Sequence, residues 1–299
     1  MAANQKFAFY ATIAAFSIRK NLDNNKDLVL YLIDNGLYIE TKSKMNLIFK
    51  DNKINCNWIY PDKEITNNIK LPENSWLDDT SLLRLLLPEL LPSHIERFIY
   101  VDSDMLIIDD LSVLFEVDME GKIIAACQDY QYTHIKYAKS KEVYLEYGLS
   151  EDLPYLNAGL YVADVKAWNE NKMTEKTLNI LLERSLELTH SDQDAINAAL
   201  FGNWKLLDPK WNVVTNSYLE PIINQELIAN PSLIHYTGPK PGQAGCKHPE
   251  RKLYFDYVQL SGWFNPSDYV SWRINIFFTK AKVRSRIAVG SLLRNLGVK

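Results

Sequence analysis

The stretch Arg97-Phe98-Ile99-Tyr100-Val101-Asp102-Ser103-Asp104 decides how this chain is read. Phe98 to Val101 form a short apolar run without polar alternation, the pattern of a strand buried on both faces. The run breaks into two aspartates separated by one residue. Runs of similar kind lie on either side: LVLYLID at 28–34, INCNWIY at 54–60, KIIAACQD at 122–129, YLNAGLYVADV at 155–165 and SLIHYTG at 232–238. Between them, residues 5–22, 78–91, 169–189 and 192–201 carry helical spacing, with Asp78 or Asp79 as a cap of the second helix and Pro88 bending or ending it. Apolar strands alternating with helices predict an α/β fold, a mostly parallel sheet flanked by helices. In such sheets ligands sit beyond the carboxyl ends of the strands, where Asp102 and Asp104 fall.

The chain has 299 residues, enough for one large α/β domain with a full core. Its three cysteines, Cys56, Cys127 and Cys246, form no CxxC pair. A scattered, odd set argues for reduced thiols and a cytoplasmic setting, and offers no zinc site. No secretory signal is visible, and no run reaches the roughly 20 apolar residues that span a bilayer. Charge is uneven. Residues 272–299 carry Arg273, Lys280, Lys282, Arg284, Arg286, Arg294 and Lys299 with no acid, so this tail is +7; the whole chain is −4, which leaves −11 for the body. Interleaved with Ile274, Phe277, Phe278, Ile287 and Leu292, these bases fit a helix on anionic lipid, peripheral to the membrane. The plainer reading is a docked helix with a solvated basic face. Nucleic acid is excluded as a partner by the acidic body and the absence of a binding motif.

Four groups of residues carry chemistry. Asp102-Ser103-Asp104, at a strand end, turns two carboxylates toward one hard cation such as Mg²⁺ or Mn²⁺, although a DxD arises about once by chance in a chain this size. The alternative is a pair of capping loop aspartates. His235, in Ile234-His235-Tyr236-Thr237-Gly238-Pro239-Lys240, can complete a cation's shell, while Gly238 and Lys240 suit a phosphate. An isolated histidine is otherwise a core residue. Asn157-Ala158-Gly159 interrupts a strand with an amide and small residues, opening room for a sugar. Asp192-Gln193-Asp194 begins a helix, where Asp192 either caps the helix or serves the site. Arg84 either reaches a phosphate or forms a structural ion pair.

The order YVDSDMLIIDDLSVLF, YLNAGLYVADVKAW, SDQDAINAAL, PKWN and IHYTGPKP resembles the retaining glycosyltransferases of family 8, over about residues 4–260. Five blocks in one order carry the likeness. The family includes bacterial lipopolysaccharide galactosyl- and glucosyltransferases and, more distantly, glycogenin. The resemblance implies a GT-A type catalytic domain over 1–262 with a Rossmann-like sheet, followed by a basic amphipathic segment over 263–299. It implies a UDP-hexose donor, galactose or glucose, and a glycan, lipid-linked or protein acceptor. It implies Mn²⁺ (or Mg²⁺) held by Asp102, Asp104 and His235, with Ser103 inside the motif and Gly238 and Lys240 on the diphosphate. Arg84, Asn157, Ala158, Asp192 and Gln193 would surround the donor sugar and the reacting centre, and Asn4 and Phe7 would hold the uridine.

Three departures from the family pattern stand out. Asn4 replaces an aspartate and Phe7 a tyrosine, and the apolar strand usually preceding them is missing, which would leave neighbouring backbone groups unpaired. Lys240 follows His235 by five residues rather than six. Gly242 stands where tryptophan is common. Two competitors remain at this stage. A haloacid-dehalogenase-like phosphatase also places DxD after a strand, but it wants a small Thr or Val where this chain has Leu106. The other is a family member that has lost donor binding and acts as a scaffold or chaperone.

Overall fold

The computed structural model describes residues 1–62, 64, 79–219 and 225–279, with the backbone alone for residue 79. The capping role expected of Asp78 or Asp79 and the basic tail beyond residue 279 lie outside the described residues.

Three parallel strands open the fold: β1 (Ala2–Ala3), β2 (Leu28–Asp34) and β3 (Ile54–Ile59), in the order β1-β2-β3. Although β1 has only two residues, it pairs the carboxyl-terminal end of its neighbour. The Met1 carbonyl accepts from the Ile33 N–H at 3.0 Å, the Ala3 carbonyl accepts from the Asn35 N–H at 3.0 Å, and the Met1 amine donates to the Tyr31 carbonyl. The missing-strand expectation is thus corrected in part: β2 is paired by β1 at Ile33 and Asp34, while Val29 near its start is 49% exposed. Helix α1 (Ala8–Asn21) follows and is buried almost all round, as a helix between layers must be. Ala11, Ala14 and Ala15 let it lie close, and Ser17 Oγ accepts from the Ile107 N–H at 3.0 Å. Helix α2 (Ile39–Asp51) lies against β3.

The segment predicted as one helix over 78–91 is broken into α3 (Asp79–Leu82), a 3₁₀ turn (Leu83–Leu86) and α4 (Leu87–Leu90). Pro88 lies in the first turn of α4, where its missing N–H costs nothing.

A second sheet has the order β4-β7-β6-β8, from β4 (Arg97–Val101), β6 (Ile124–Gln128), β7 (Leu156–Asp164) and β8 (Trp204–Leu206). Here β6 and β8 run parallel, while β7, buried along its length up to Ala163, runs antiparallel to β4 and β6. The third sheet is β5-β10-β9, with β5 (Met105–Ile107) antiparallel to β10 (Leu233–His235) and β9 (Val213–Val214) parallel to it. Helices α5 (Lys141–Glu146), α6 (Val165–Glu170), α7 (Met173–Arg184) and α8 (Ser191–Leu200) cover the second sheet. The expected helix over 169–189 is split in two: α6 starts earlier, its Asp164 side chain capping through the Ala167 N–H, the chain breaks at Lys172 with φ +52°, and α7 ends at Arg184.

Short helices α9 (Thr215–Leu219) and α10 (Gln225–Ala229) lead to β10, and α11 (Arg251–Leu260) packs on α1. A helix over 266–279 then brings Trp272 onto Phe9, Phe255, Phe264 and Tyr269. The same indole closes over Gly242, whose added Cβ would lie 3.0 Å from Trp272 Cζ2. A tryptophan from the far end of the fold thus packs where this chain carries a glycine.

Candidate active site

Two strand registers assemble the site. Antiparallel pairing of β4 with β7 sets Val101 opposite Leu160, and the Asp102 N–H continues the ladder to the Gly159 carbonyl at 2.8 Å. Antiparallel pairing of β5 with β10 sets Met105 opposite His235, and the Tyr236 N–H reaches the Asp104 carbonyl at 3.0 Å. Asp102, Asp104 and His235 therefore converge, each offering a ligand atom within 4.8 Å of the others. His235 Nε2 is 3.2 Å from Asp104 Oδ1, and Lys240 Nζ pairs with Asp104 Oδ2. Burial would raise the Asp104 carboxyl pKa, but Lys240 and His235 overcome this and hold it well below the usual carboxylate range. Two carboxylates and an imidazole, one carboxylate already holding an ammonium, fit a hard divalent cation.

Gly159 is the position that permits this convergence. A Cβ there would lie 2.6 Å from Met105 Cε and 2.7 Å from His235 Cε1.

Beside the cluster, Arg84 is buried and bridges two carboxylates. Its Nη2 is 3.0 Å from Asp102 Oδ1, its Nε is 2.8 Å from Asp192 Oδ2, and its Nη1 donates to the Ala158 carbonyl at 2.8 Å. Tyr100 donates to Asp102 Oδ1 at 2.8 Å, and its ring lies under the guanidinium. Of the two alternatives for Arg84, the ion pair is the one present, and it joins two of the candidate site carboxylates. Asp192 makes no cap bond, because the N-cap of α8 is His190 without a side-chain bond. Burial raises the Asp192 pKa to about 6 against the opposing pull of Arg84.

Helix α8 is anchored by Asp194, which accepts from Ser140 Oγ, the Tyr144 and Tyr155 hydroxyls and the Thr189 and His190 N–H groups. This clamp offsets the positive φ of Ser191, +24°, at the helix start. It also presents Gln193, whose Oε1 accepts from the Ala158 N–H at 3.0 Å and whose Nε2 donates to the Tyr155 hydroxyl at 3.2 Å. Asn157 Nδ2 donates to Asp129 Oδ2 at 2.8 Å.

The structure thus brings Arg84, Asp102, Asp104, Asn157, Ala158, Gln193, His235 and Lys240 into one polar network, which Asp192 joins through its ion pair with Arg84. Ser103 faces elsewhere: its hydroxyl donates to the Ala2 carbonyl at 2.7 Å, tying β1 to the DxD turn. Asn4 follows β1, its Oδ1 accepting from the Lys6 and Phe7 N–H groups, and half-buried Phe7 precedes α1. Gly238 turns the loop after β10 at φ +73°. Asp129, Tyr155 and Asn212 belong to the network but were not singled out from the sequence. Asp129 had a usable signal, since it ends the strand run 122–129.

The raised Asp192 carboxyl has a pH consequence. Its folded pKa lies above the 3.8 of an unperturbed aspartate, so its contribution to stability is full below that value and is lost as pH rises through about 6. Asp192→Asn should therefore gain up to about 3 kcal/mol on wild type between pH 4 and 7. Melting curves across that range check this; a constant difference between the two proteins would contradict it.

Residues 1–242 match the sequence model of glycosyl transferase family 8. General stress protein A of Bacillus subtilis strain 168 is 28% identical over 260 residues, covering 83% of this chain and 87% of the relative. Lipopolysaccharide 1,2-glucosyltransferase of Escherichia coli K12 is 30% identical over 194 residues, 62% of this chain and 55% of that protein. Among solved structures, galactosyltransferase LgtC in complex with donor and acceptor sugar analogues superposes with a TM-score of 0.75 at 18% identity, covering 91% of this chain and 98% of that one. The fold is of the GT-A type.

Proposed function

The chain belongs to glycosyl transferase family 8, and from that premise we propose that it transfers a hexose, galactose or glucose, from a UDP-sugar to an acceptor hydroxyl with retention of configuration. The observation that carries the reading is the convergence of Asp102, Asp104 and His235 beside the Arg84–Asp192 pair. Asp102, Asp104 and His235 would hold Mn²⁺ or Mg²⁺, which when bound supplies Lewis-acid neutralisation of the diphosphate. Asn4 and Phe7 take the uridine, and Gly238 leaves room for the diphosphate. Lys240 swings from Asp104 to the β-phosphate as the bond to the anomeric carbon breaks, neutralising charge on the leaving UDP. Arg84, Asn157, the Ala158 backbone, Asp192 and Gln193 hold the donor sugar. Asp192 is ion-paired and Gln193 is a poor nucleophile pinned at both ends, which favours acceptor attack on the face that UDP leaves over covalent capture.

The lipopolysaccharide glucosyltransferase relative supports a cell-surface glycan as acceptor, with lipid-linked and protein acceptors as the alternatives. We place the enzyme at the cytoplasmic face of the membrane, with 1–262 as the catalytic unit. On the helix over 266–279, Val270, Ile274, Phe277 and Phe278 are exposed beside Arg273, and the bases beyond them suit an anionic lipid surface. No helix among the described residues is long and apolar enough to cross a membrane. Co-flotation with phosphatidylglycerol vesicles but not with neutral ones is expected; recovery in the soluble fraction with both would refute lipid contact.

A screen of UDP-sugars for slow hydrolysis tests the central reading. UDP should be released from one hexose donor only with Mn²⁺ or Mg²⁺ present, and EDTA should stop it. A folded sample in which calorimetry detects no metal-dependent UDP binding would instead favour the scaffold reading.

A further inference from the structure

A line of hydrogen bonds runs from the far wall of the site to His235, and its polarity is fixed at the distant end. Asp129 Oδ1 accepts from the Gln131 and Tyr132 N–H groups, and its Oδ2 faces Asn157 Nδ2 at 2.8 Å and Gln193 Nε2 at 3.4 Å. All four partners are N–H donors. Asn157 must therefore turn its Nδ2 toward Asp129, and the Gly159 N–H confirms that orientation by donating to Asn157 Oδ1 at 3.0 Å. That same oxygen accepts from Asn212 Nδ2 at 2.8 Å. Asn212 then has only its Oδ1 left to present to His235, 2.9 Å from Nδ1. A carbonyl oxygen accepts and cannot donate, so Nδ1 must carry a proton.

We propose that Asn212 is a positioning residue for His235, holding the imidazole by its Nδ1–H so that Nε2 is the ring nitrogen presented to the Asp102/Asp104 cluster. The proposal rests on the reading of those three side chains as cation ligands. Free neutral histidine favours no such arrangement; a metal-ligating ring is fixed in one tautomer by the bond its other nitrogen makes. Asn212 is suited to this because it is 7% exposed and held from both sides. It closes the 3₁₀ turn Pro209–Asn212 immediately before β9, which pairs with β10 so that Val214 lies opposite His235. A merely structural amide would link the same strands without selecting a ring nitrogen.

Two measurements decide the matter. In metal-free wild type, ¹⁵N spectra of histidine-labelled protein should show His235 Nδ1 protonated at neutral and mildly alkaline pH; a bare Nδ1 overturns the proposal. Second, Mn²⁺ affinity is titrated by the loss of the free-ion electron paramagnetic resonance signal, without nucleotide or turnover. Asn212→Leu should weaken Mn²⁺ binding by about tenfold or more. In a His235→Ala background the same substitution should change affinity by less than about twofold, because its effect acts through that ring. Equal losses in both backgrounds would assign Asn212 a general structural role and overturn the proposal. If wild type binds no Mn²⁺, the cation reading fails, and the Nδ1 measurement still decides whether Asn212 sets the ring, so the two ideas fail separately.

Discussion

Asp104→Asn should reduce metal-dependent UDP-sugar hydrolysis by at least about a thousandfold while the protein stays folded. Asp104 is the centre of the cluster: its two oxygens face His235 Nε2 and Lys240 Nζ. An amide keeps the shape and can still accept from Lys240, so the cost to stability is that of a weakened buried bond, about 1–3 kcal/mol. It removes the charge that draws a divalent ion, however, and the several kcal/mol of leaving-group neutralisation that depend on it. The checks are UDP release with Mn²⁺ at saturating donor, and melting temperature on the same sample. Full hydrolysis by the variant would remove Asp104 from any metal site.

The second large effect is on stability. Arg84→Leu should cost about 3–5 kcal/mol, because it strands Asp192, itself only 2% exposed, and removes the partner of Asp102. Arg84→Lys should recover only part of this, since one ammonium cannot span both carboxylates and the Ala158 carbonyl. The deficit should also depend on pH. Losing Arg84 takes away the favourable charge that opposes burial at Asp192, so its pKa rises further, and acidification that neutralises Asp192 should narrow the gap between Arg84→Leu and wild type. Denaturant melts at several pH values read this directly. A gap that stays constant on acidification would mean Arg84 stabilises the fold by packing on Tyr100 rather than by pairing with Asp192.

Much of this site was legible because it sits where short apolar runs stop. The apolar run Phe98–Val101 ends at Asp102, where the carboxylates begin, and Leu233–Ile234 delivered His235 by the same logic. The family order of five blocks supplied the roles. The partner of Ser103 was not legible, because a hydroxyl within a motif says nothing about what it bonds; here it is the Ala2 carbonyl, 101 positions away. Asp192 looked equally like a cap, since the first turn of a helix favours a carboxylate whichever way it points.

By itself, the sequence determined the alternation of strands and helices, the two carboxylates at a strand end, the histidine and lysine after another, and family membership. These are local: each follows from which residues must leave water and where the run of them ends. Tertiary structure alone decided that β7 runs against β4 and β6, because a fully buried strand has no alternating face to reveal its direction. It also decided that Met105 faces His235, that Trp272 covers Gly242, and that Asp129 orients His235 through two asparagines. Those facts depend on register and on amide orientation, which are properties of pairs of segments and are written in neither segment alone.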